Sequence, residues 1–266
     1  MVTGTSSGIG AATAALLSDG GWRVVGIDRR AGEAPLDVFL ACDLGDPEAI
    51  DRAAATIGGP IHGMVNVAGV PGSFDGETVM RVNLLGLRHL TEALVPAMAH
   101  GAAVVHIASG AGSGWRDNLA TIRGLLAARS FADGLAWVRA HAMSGPRAYN
   151  FSKEAVIVYG LLGSMLWRDR GIRSLSLSPG VVETPILKDF EETMGKAVLD
   201  RLRHQSGGRN GTPGDIAPVI AFLLSPEAAW INGTDVGVDG GSEVAIALDL
   251  LDCPAEEAAA RFLGSP

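Results

Sequence analysis

The strongest constraint on the fold is a repeated alternation of short apolar runs with helical patterns along the chain. Each apolar run ends near Gly, Asp, Asn or Ser, as buried strands do. Such alternation is typical of a parallel sheet that is covered by helices on both faces. The predicted strands are Val24–Ile27, Gly63–Val67, Ala103–Ala108 and Ser174–Leu177. The predicted helices are Gly10–Ser18, Pro47–Ile57, Val79–Ala99, Tyr149–Arg168 and Gly214–Leu224.

No internal repeat, low-complexity linker or break in composition divides the chain. We therefore expect one α/β domain over residues 1–266, built on a doubly wound Rossmann-type parallel sheet. Residues 114–148 form a predicted helical insertion, and residues 242–266 form a C-terminal extension in which Pro254 begins a short helix. Only Met1 and Val2 precede a Gly-rich turn, so the first strand is either unusually short or begins upstream of this numbering.

Composition excludes several classes of function. Apolar residues make up 47% of the chain, which excludes disorder, and a net charge of −8 excludes the basic face that nucleic-acid binding needs. Cys42 and Cys253 lie outside any CxxC pair, as expected of reduced thiols in a cytoplasmic protein. No signal peptide is visible, and the longest apolar stretch, Ala155–Trp167, is too short to cross a membrane. We expect no metal ion.

A Gly-rich turn, Thr3–Gly10 (TGTSSGIG), opens the first predicted helix. Its glycines allow a tight turn and close backbone approach, and a helix N-terminus offers free N–H groups to a pyrophosphate. In a chain with 36 glycines this turn alone is weak evidence. Asp28 strengthens it, because an acidic residue after the next strand is placed to bind the adenosine ribose hydroxyls. The two features together predict a dinucleotide site.

Asp28 also predicts NAD(H) rather than NADP(H), because its carboxylate would repel a 2′-phosphate. Arg29 and Arg30 keep NADP(H) open, since a guanidinium group could contact that phosphate, although we favour solvent exposure or adenine stacking for them. Asp43 and Leu44 follow another strand-like run and suit contact with the adenine amino group. Asp43 fits a helix N-cap equally well.

Tyr149 and Lys153 carry the evidence for chemistry, because they are four residues apart and share one face of a predicted helix. Oxidation of an alcohol needs a base for the hydroxyl proton, and the ordinary tyrosine pKa of about 10 is too high. A Lys ammonium about 4 Å away, at an effective dielectric constant of about 20, favours the phenolate by about 4 kcal/mol. That energy equals about three pKa units, which predicts a Tyr149 pKa of about 7.

Taken in order, these patterns resemble the short-chain dehydrogenase/reductase family from Val2 to Gly241. Any one of them is a weak signal, whereas the ordered set is highly specific. The matching elements are the TGxxxGIG turn, Asn66-Val67-Ala68-Gly69 after a strand, Asn83, Ser109, Tyr149-xxx-Lys153, Ser178–Thr184 (SPGVVET) and Val238–Gly241 (VDGG).

The resemblance implies a role for each catalytic residue. Tyr149 is the acid/base, and Lys153 binds the nicotinamide ribose and lowers the tyrosine pKa. Ser109 hydrogen-bonds the substrate oxygen, unless it only caps a turn, and Asn83 supports a water-mediated proton relay to Lys153, unless it is an ordinary polar helix residue. The predicted cofactor contacts are Gly4, Ser6, Ser7, Gly8, Ile9, Gly10, Asp28, Arg29, Asp43, Leu44, Asn66, Ala68, Gly69, Tyr149, Lys153, Pro179, Gly180, Val182 and Thr184.

The 40-residue separation of Ser109 and Tyr149 is longer than in most family members. With Gly26–Asp28 and Asn66–Gly72, it is similar to 3α-hydroxysteroid dehydrogenase/carbonyl reductases and closer still to bacterial coniferyl-alcohol dehydrogenases. The resemblance therefore implies hydride transfer between NAD(H) and a hydrophobic, aryl-allylic alcohol/carbonyl pair. A hydroxysteroid dehydrogenase is the alternative. A non-catalytic dinucleotide-sensing regulator is a third, but it would not need the Ser109, Tyr149 and Lys153 set.

Apolar residues near both ends of the insertion predict a substrate pocket for a small hydrophobic alcohol or carbonyl. Trp115 and Met143 are expected to face two apolar residues of another flap. The predicted pocket residues are Ser109, Trp115, Met143, Tyr149, Phe190 and Met194. The helix Tyr149–Arg168 is also apolar nearly all round from Ala155 to Trp167, more than one sheet face covers. We therefore predict a homodimer or homotetramer, with cover by the insertion as the alternative.

Overall fold

The computed structural model describes residues 1–253 and 255–264. Seven strands form one sheet in the order β3-β2-β1-β4-β5-β6-β7, and every neighbouring pair is parallel. The strands are β1 (Val2–Thr3), β2 (Val25–Asp28), β3 (Val38–Ala41), β4 (Ile61–Asn66), β5 (Met98–Ile107), β6 (Arg173–Pro179) and β7 (Asp235–Val238). This arrangement confirms the predicted doubly wound α/β sheet.

Helices connect the strands and flank both sides of the sheet. The helices are α1 (Gly8–Asp19), α2 (Pro47–Thr56), α3 (Gly76–Met80), α4 (Leu87–Leu94), α5 (Leu119–Leu126), α6 (Phe131–Ala140), α7 (Gly145–Leu166), α8 (Leu187–Met194), α9 (Lys196–Gln205), α10 (Pro213–Leu224), α11 (Ser242–Ala247) and α12 (Ala255–Leu263). A π-helical segment, Arg81–Gly86, joins α3 to α4. The 3₁₀ segments are Val95–Ala97, Gly110–Arg116, Arg168–Arg170 and Pro226–Ala228.

The order of the strands reverses at β1, which has only two residues in this numbering. Val2 is in register with Gly26 of β2 on one side and with Val65 of β4 on the other. The connections that leave β1 and β4 therefore cover opposite faces of the sheet, which opens a crevice at the carboxyl ends of these strands. In open α/β sheets this crevice is where ligands bind.

Two separate cores, one on each face of the sheet, hold the layers together. On one face α2, α4 and α7 contribute fully buried residues such as Ile50, Leu90 and Phe151. On the other face α1 and α10 contribute residues such as Leu17 and Ile220. The apolar positions of the five helices therefore decide which face each helix covers.

The predicted helix Val79–Ala99 is wrong as a single element. Its residues run through α3, the π-helical segment, α4 and a 3₁₀ turn that contains Pro96, and the last two belong to β5. A proline has no N–H for the helical ladder, which explains why the helix ends there. The catalytic helix also begins earlier than predicted, at Gly145, because Pro146 fits the first turn of a helix.

The insertion packs against the first half of α7. Ile122 and Leu125 of α5 are buried, and the Trp137 ring of α6 stacks on Phe151 with centroids 5.9 Å apart. One face of the second half of α7 stays uncovered, since Met165 and Leu166 are 68% and 60% exposed, whereas Tyr159 in the same half is buried. Cover by the insertion therefore explains only part of the apolar surface that the sequence showed.

The C-terminal extension forms α11 and α12. Pro254, the predicted start of a short helix, lies outside the described residues, and α12 begins at Ala255. Within residues 1–253 and 255–264, no helix combines the length and the apolar character needed to cross a membrane.

Candidate active site

A cavity of about 1000 Å³ lies in the crevice at the carboxyl ends of the strands. It is lined by residues of the Gly-rich turn, by the ends of β2, β4, β5 and β6, and by the start of α7. Of the predicted cofactor contacts, all except Asn66 line this cavity. The structure therefore brings together residues that are up to 180 positions apart in sequence.

The Gly-rich turn is tight, and side chains at its glycine positions would strain the backbone or collide with the rest of the protein. Gly4 and Gly8 have φ angles of +73° and +57°, which glycine adopts without strain. A methyl group on Gly4 would come within 3.0 Å of the Ala68 backbone, and one on Gly10 would collide with the Gly4 carbonyl oxygen. Because α1 starts at Gly8, its N-terminal amides lie at the cavity, where they would attract a pyrophosphate.

Asp28 lies at the end of β2, and two backbone amides bind its carboxylate. Ser6 N donates to Oδ2 at 2.9 Å, and Arg29 N donates to Oδ1 at 2.7 Å. The Arg29 and Arg30 residues are exposed at the same edge of the cavity. The carboxylate is therefore held at the adenosine end, whereas neither arginine is buried there.

Asp43 is not a helix N-cap. Its Oδ1 accepts a hydrogen bond from Gly45 N at 2.8 Å, and the side chain lines the cavity together with Leu44. Asp46 caps α2 instead, by accepting from Glu48 N at 3.0 Å. The structure therefore removes the alternative that the sequence left open for Asp43.

Three predicted catalytic side chains meet at one end of the cavity. Tyr149 and Lys153 lie one turn apart on α7, and the Ser109 hydroxyl, just after β5, lies close enough to the Tyr149 side chain to lower its pKa. Lys153 Nζ donates to the Ile107 carbonyl oxygen at 2.9 Å and lies 5.8 Å from the centroid of the Tyr149 ring. The arrangement places a proton-transfer group, a hydrogen-bonding hydroxyl and a cation around one point.

The predicted pKa of about 7 for Tyr149 is wrong for this state of the protein. Burial raises the pKa of Tyr149 to about 12, and the hydrogen bond with Ser109 offsets only part of that rise. Burial also lowers the pKa of Lys153 to about 8. The sequence argument omitted desolvation, which acts against the phenolate and against the ammonium at the same time.

Asn83 and Asn66 are bound within the protein. The Asn83 side chain, 1% exposed on the π-helical segment, accepts from Val70 N at 2.8 Å and donates to Val70 O at 3.0 Å. Its amide also donates to Ser152 Oγ, whereas no hydrogen bond joins it to Lys153. The Asn66 amide lies 2.9 Å from Thr91 Oγ1, in the buried interior. Neither asparagine lines the cavity.

The predicted substrate wall is only partly assembled. The Phe190 ring on α8 lies edge-to-face with Tyr149, with centroids 5.3 Å apart, and lines the cavity. Trp115 and Met143 pack against the core instead, and Met194 is 43% exposed. None of these last three lines the cavity. Sequence distance from the catalytic residues was a poor guide, because the insertion turns away from the cavity to cover α7.

Sequence reasoning missed several lining residues after β4 and around α8. Ser73 Oγ donates to Asp189 Oδ1 at 2.6 Å, so the loop after β4 and α8 meet across the cavity mouth. The position of this loop, directly after a strand that ends at the ligand crevice, was the signal available. The missed lining residues are Val70, Pro71, Phe74, Glu77, Thr78, Arg81, Pro185, Ile186 and Asp189.

Two family profiles match this chain, and together they cover most of it. The short chain dehydrogenase family profile matches residues 1–120, and a profile described as enoyl-(acyl carrier protein) reductase matches residues 134–243. The coniferyl-alcohol dehydrogenase of Pseudomonas sp. (strain HR199 / DSM 7063) is 38% identical, over 91% of this chain and 94% of that protein. The chain belongs to the short-chain dehydrogenase/reductase family. As a member of that family it is an oxidoreductase.

Two further relatives of this short-chain dehydrogenase/reductase are hydroxysteroid enzymes. The 3-alpha-hydroxysteroid dehydrogenase/carbonyl reductase of Comamonas testosteroni is 33% identical, over 91% of this chain and 95% of that protein. The crystal structure of the 3-alpha-hydroxysteroid dehydrogenase from Pseudomonas sp. B-0831, complexed with NADH, has a TM-score of 0.77 and 32% identity. The match covers 92% of this chain and 96% of that one.

We expect Lys153→Met to stabilise the protein at neutral pH in the absence of cofactor. Burial lowers the Lys153 pKa from 10.5 in the unfolded chain to about 8. The unfolded chain therefore binds more protons between these values, so the wild type gains stability as pH rises from about 8 to 10.5, by about 3 kcal/mol. Below pH 8 the penalty is fully present, and the substitution removes it.

Urea unfolding at pH 7 and pH 10 measures the difference between the variant and the wild type. The variant should have the higher free energy of unfolding at pH 7, and the difference should shrink at pH 10. Lys196→Met, at an exposed lysine, is the control and should show no such pH dependence. A Lys153→Met protein that is less stable at pH 7 would contradict the prediction.

Proposed function

We propose that this enzyme transfers a hydride between NAD(H) and a hydrophobic alcohol/carbonyl pair, most simply an aryl-allylic alcohol. The observation that carries the proposal is the meeting of Ser109, Tyr149 and Lys153 at one end of a cavity. The rest of that cavity is shaped by the Gly-rich turn and Asp28. A dinucleotide bound along this lining would extend from Asp28 toward Tyr149.

A bound nicotinamide ring accepts the hydride during oxidation and supplies it during reduction. In oxidation the Tyr149 phenolate oxygen takes the substrate hydroxyl proton, and in reduction the phenol returns it. The Ser109 hydroxyl orients the substrate oxygen beside that phenol. The Lys153 pKa of about 8 leaves its side chain largely cationic at neutral pH, so it favours phenolate over phenol. In this proposal Asn83 fixes the backbone at Val70 beside these groups.

NAD(H) is proposed over NADP(H) because the Asp28 carboxylate is held at the adenosine end by the backbone amides of Ser6 and Arg29. A 2′-phosphate on the ribose would bring two negative charges together in a partly enclosed cleft. The 3-alpha-hydroxysteroid dehydrogenase structure, a complex with NADH, supports the same choice. Arg29 and Arg30 are the groups that could reverse it.

The lining near Tyr149 supports a hydrophobic substrate. Val70, Pro71, Phe74, Ile186 and Phe190 supply apolar surface from both sides of the cavity mouth. Such a wall favours a flat, apolar alcohol over a sugar or an acid. A hydroxysteroid is the second candidate, because two relatives at 32–33% identity carry that name.

We infer that copies of the chain associate as a homodimer or homotetramer. The uncovered face of α7 presents Leu162, Met165 and Leu166. Trp230 is fully exposed, and it lies near α7 because Gly233, three residues further on, packs against Ser164 of that helix. Apolar surface of this kind is costly in water unless another molecule covers it. A cytoplasmic location stays a prediction from the sequence.

We expect Tyr149→Phe to reduce kcat by about 10²–10⁴-fold, the usual contribution of an acid/base group. NADH binding, measured by fluorescence, should change less than about twofold, because only the phenolic oxygen is lost. Tyr159→Phe is the matched control: it lies on the same helix, is buried and does not line the cavity. A Tyr149→Phe enzyme with a tenth of wild-type turnover would contradict the role.

NADH binding by the wild type with no turnover across a broad alcohol panel would favour a sensing regulator instead.

Cofactor preference follows the charge on Asp28. The wild type should have a higher kcat/KM for NAD than for NADP, and Asp28→Asn should shift that ratio toward NADP by about tenfold or more, the size of a charge contact of about 1.4 kcal/mol. Asp19→Asn, at the exposed last residue of α1, should leave the ratio unchanged. A wild-type preference for NADP would show that Arg29 or Arg30 decides the choice.

Substrate class is tested at Phe190. Phe190→Ala should raise KM for an aryl-allylic alcohol such as cinnamyl alcohol, or for a steroid alcohol, by about tenfold, since most of a buried aromatic contact is lost. Its effect on 2-butanol should be much smaller. Trp115→Ala is the comparison, because Trp115 does not line the cavity. If Trp115→Ala raised KM for the large alcohols much more than for 2-butanol, the pocket residue predicted from the sequence would be correct. Better turnover of charged hydroxy acids would overturn the hydrophobic pocket.

A further inference from the structure

The position of the Ser109 hydroxyl depends on the turn that follows it. Residues 109–118, which we name the Ser109 segment, leave β5 through a 3₁₀ turn and enter the insertion. Ser109 precedes that turn as its N-cap, and its Oγ accepts from Ala111 N at 3.2 Å. The same hydroxyl lies beside the Tyr149 side chain, and both residues line the cavity. A shift of the segment would therefore move the group that is placed to orient the substrate.

The Ser109 segment lies directly on the catalytic helix. A methyl group on Gly112 would come within 2.8 Å of Ile157 Cδ1 and 2.9 Å of the Lys153 carbonyl oxygen. Glycine at this position therefore lets the two backbones approach at Lys153 itself. The contact at Gly112 holds the middle of the segment, and two carboxylates hold its ends.

A buried carboxylate on α7 fixes the far end. Glu154 follows Lys153 in sequence and is 4% exposed. Its Oε2 accepts from Asn118 Nδ2 at 2.9 Å, and its Oε1 lies 3.6 Å from Arg147 Nη1. Arg147 also donates to Asn118 Oδ1 at 3.3 Å, which closes a three-residue network. The network joins the last residue of the segment to the helix that carries Tyr149 and Lys153.

A second carboxylate, from the C-terminal extension, fixes the near end. The Glu243 carboxylate of α11 lies next to the Ser113 side chain, and its carboxyl carbon would lie 2.9 Å from a methyl group on Gly110. The absence of a side chain at Gly110 thus makes room for Glu243. Glu243 N donates to Asp239 Oδ2 at 2.6 Å, which holds the start of α11 in place.

We propose that Glu154 and Glu243 are positioning residues that hold the Ser109 segment at its two ends and so place the Ser109 hydroxyl beside Tyr149. Neither carboxylate lines the cavity, so neither touches the substrate. The proposal rests on the proposed function, because it assigns these residues an effect on turnover. It also gives the insertion and the C-terminal extension a shared task, since one carries Asn118 and the other carries Glu243.

Variants of the two residues test this role. Glu154→Ala and Glu243→Ala should each lower kcat by about tenfold to a hundredfold, the loss expected from a displacement of about 1 Å at a reacting group. The KM for NADH should stay within about twofold. Glu154→Gln and Glu243→Gln keep an acceptor oxygen for Asn118 and Ser113, so they should recover most of the activity. Glu227→Ala, at an exposed glutamate, is the control.

A double-variant cycle with Ser109→Ala separates positioning from a general effect on structure. With the hydroxyl already removed, either glutamate substitution should cause no further fall in the single-turnover rate. Fully additive losses would overturn the proposal. So would loss of kcat in the Gln variants as large as in the Ala variants, because an acceptor oxygen alone should hold the segment.

Amide hydrogen exchange gives a readout that does not depend on turnover. In the Ala variants exchange should become faster in residues 110–118 and stay unchanged in β5 and β6. Unchanged exchange in that segment would overturn the proposal even if activity fell. If the wild type oxidises no alcohol, the proposed function fails, and the exchange result alone then shows whether the two carboxylates hold the segment.

Discussion

The Thr3 hydroxyl accepts hydrogen bonds from both Val67 N, at 2.9 Å, and Ala68 N, at 3.0 Å. These bonds tie the carboxyl end of β1 to the carboxyl end of β4, where the order of the sheet reverses. Thr3 is also the first residue of the Gly-rich turn, and the next residue, Gly4, packs against the Ala68 backbone. The whole site depends on this junction, because it sets the distance between the proposed dinucleotide turn and the loop that leads toward Asn83.

At the proposed catalytic end of the site, Lys153 and Tyr149 are buried, although their charged forms are more stable in water. Lys153 is 6% exposed, and its ammonium has one protein acceptor among the described residues, the Ile107 carbonyl oxygen. Burial shifts the pKa of Lys153 down and that of Tyr149 up, so it acts against both the ammonium and the phenolate that the proposed mechanism uses. A ligand that supplies hydroxyl groups to Lys153 would ease this conflict. Sites that trade stability for chemistry commonly have this character.

The insertion (residues 114–148) and the C-terminal extension (residues 242–266) are additions to a minimal doubly wound fold. The first packs on the core, and the second contacts the turn beside the site. The insertion covers the first half of α7 through contacts such as Trp137 on Phe151. The extension brings α11 to the turn after Ser109. Both additions thus meet the same short stretch of chain.

The sequence by itself determined the fold class and the residues on which the chemical proposal rests. Parallel strands need apolar runs, and a helix places residues four apart on one face, so the sheet and the Tyr149–Lys153 pair were visible as local patterns. Glycines in a tight turn and an acidic residue after the next strand are equally local. These predictions needed no knowledge of distant contacts.

Only the tertiary structure decided which residues reach the cavity and what their surroundings do to them. Trp115 lies close to Ser109 in sequence yet packs on the core, whereas Phe190 is distant in sequence and lies on Tyr149. The Tyr149 pKa followed burial rather than its nearest cation. Glu154 and Glu243 gained their partners from segments far along the chain. Desolvation and packing depend on all the residues that surround a group in the folded protein. Most of these residues are distant in sequence, so a local sequence pattern does not identify them.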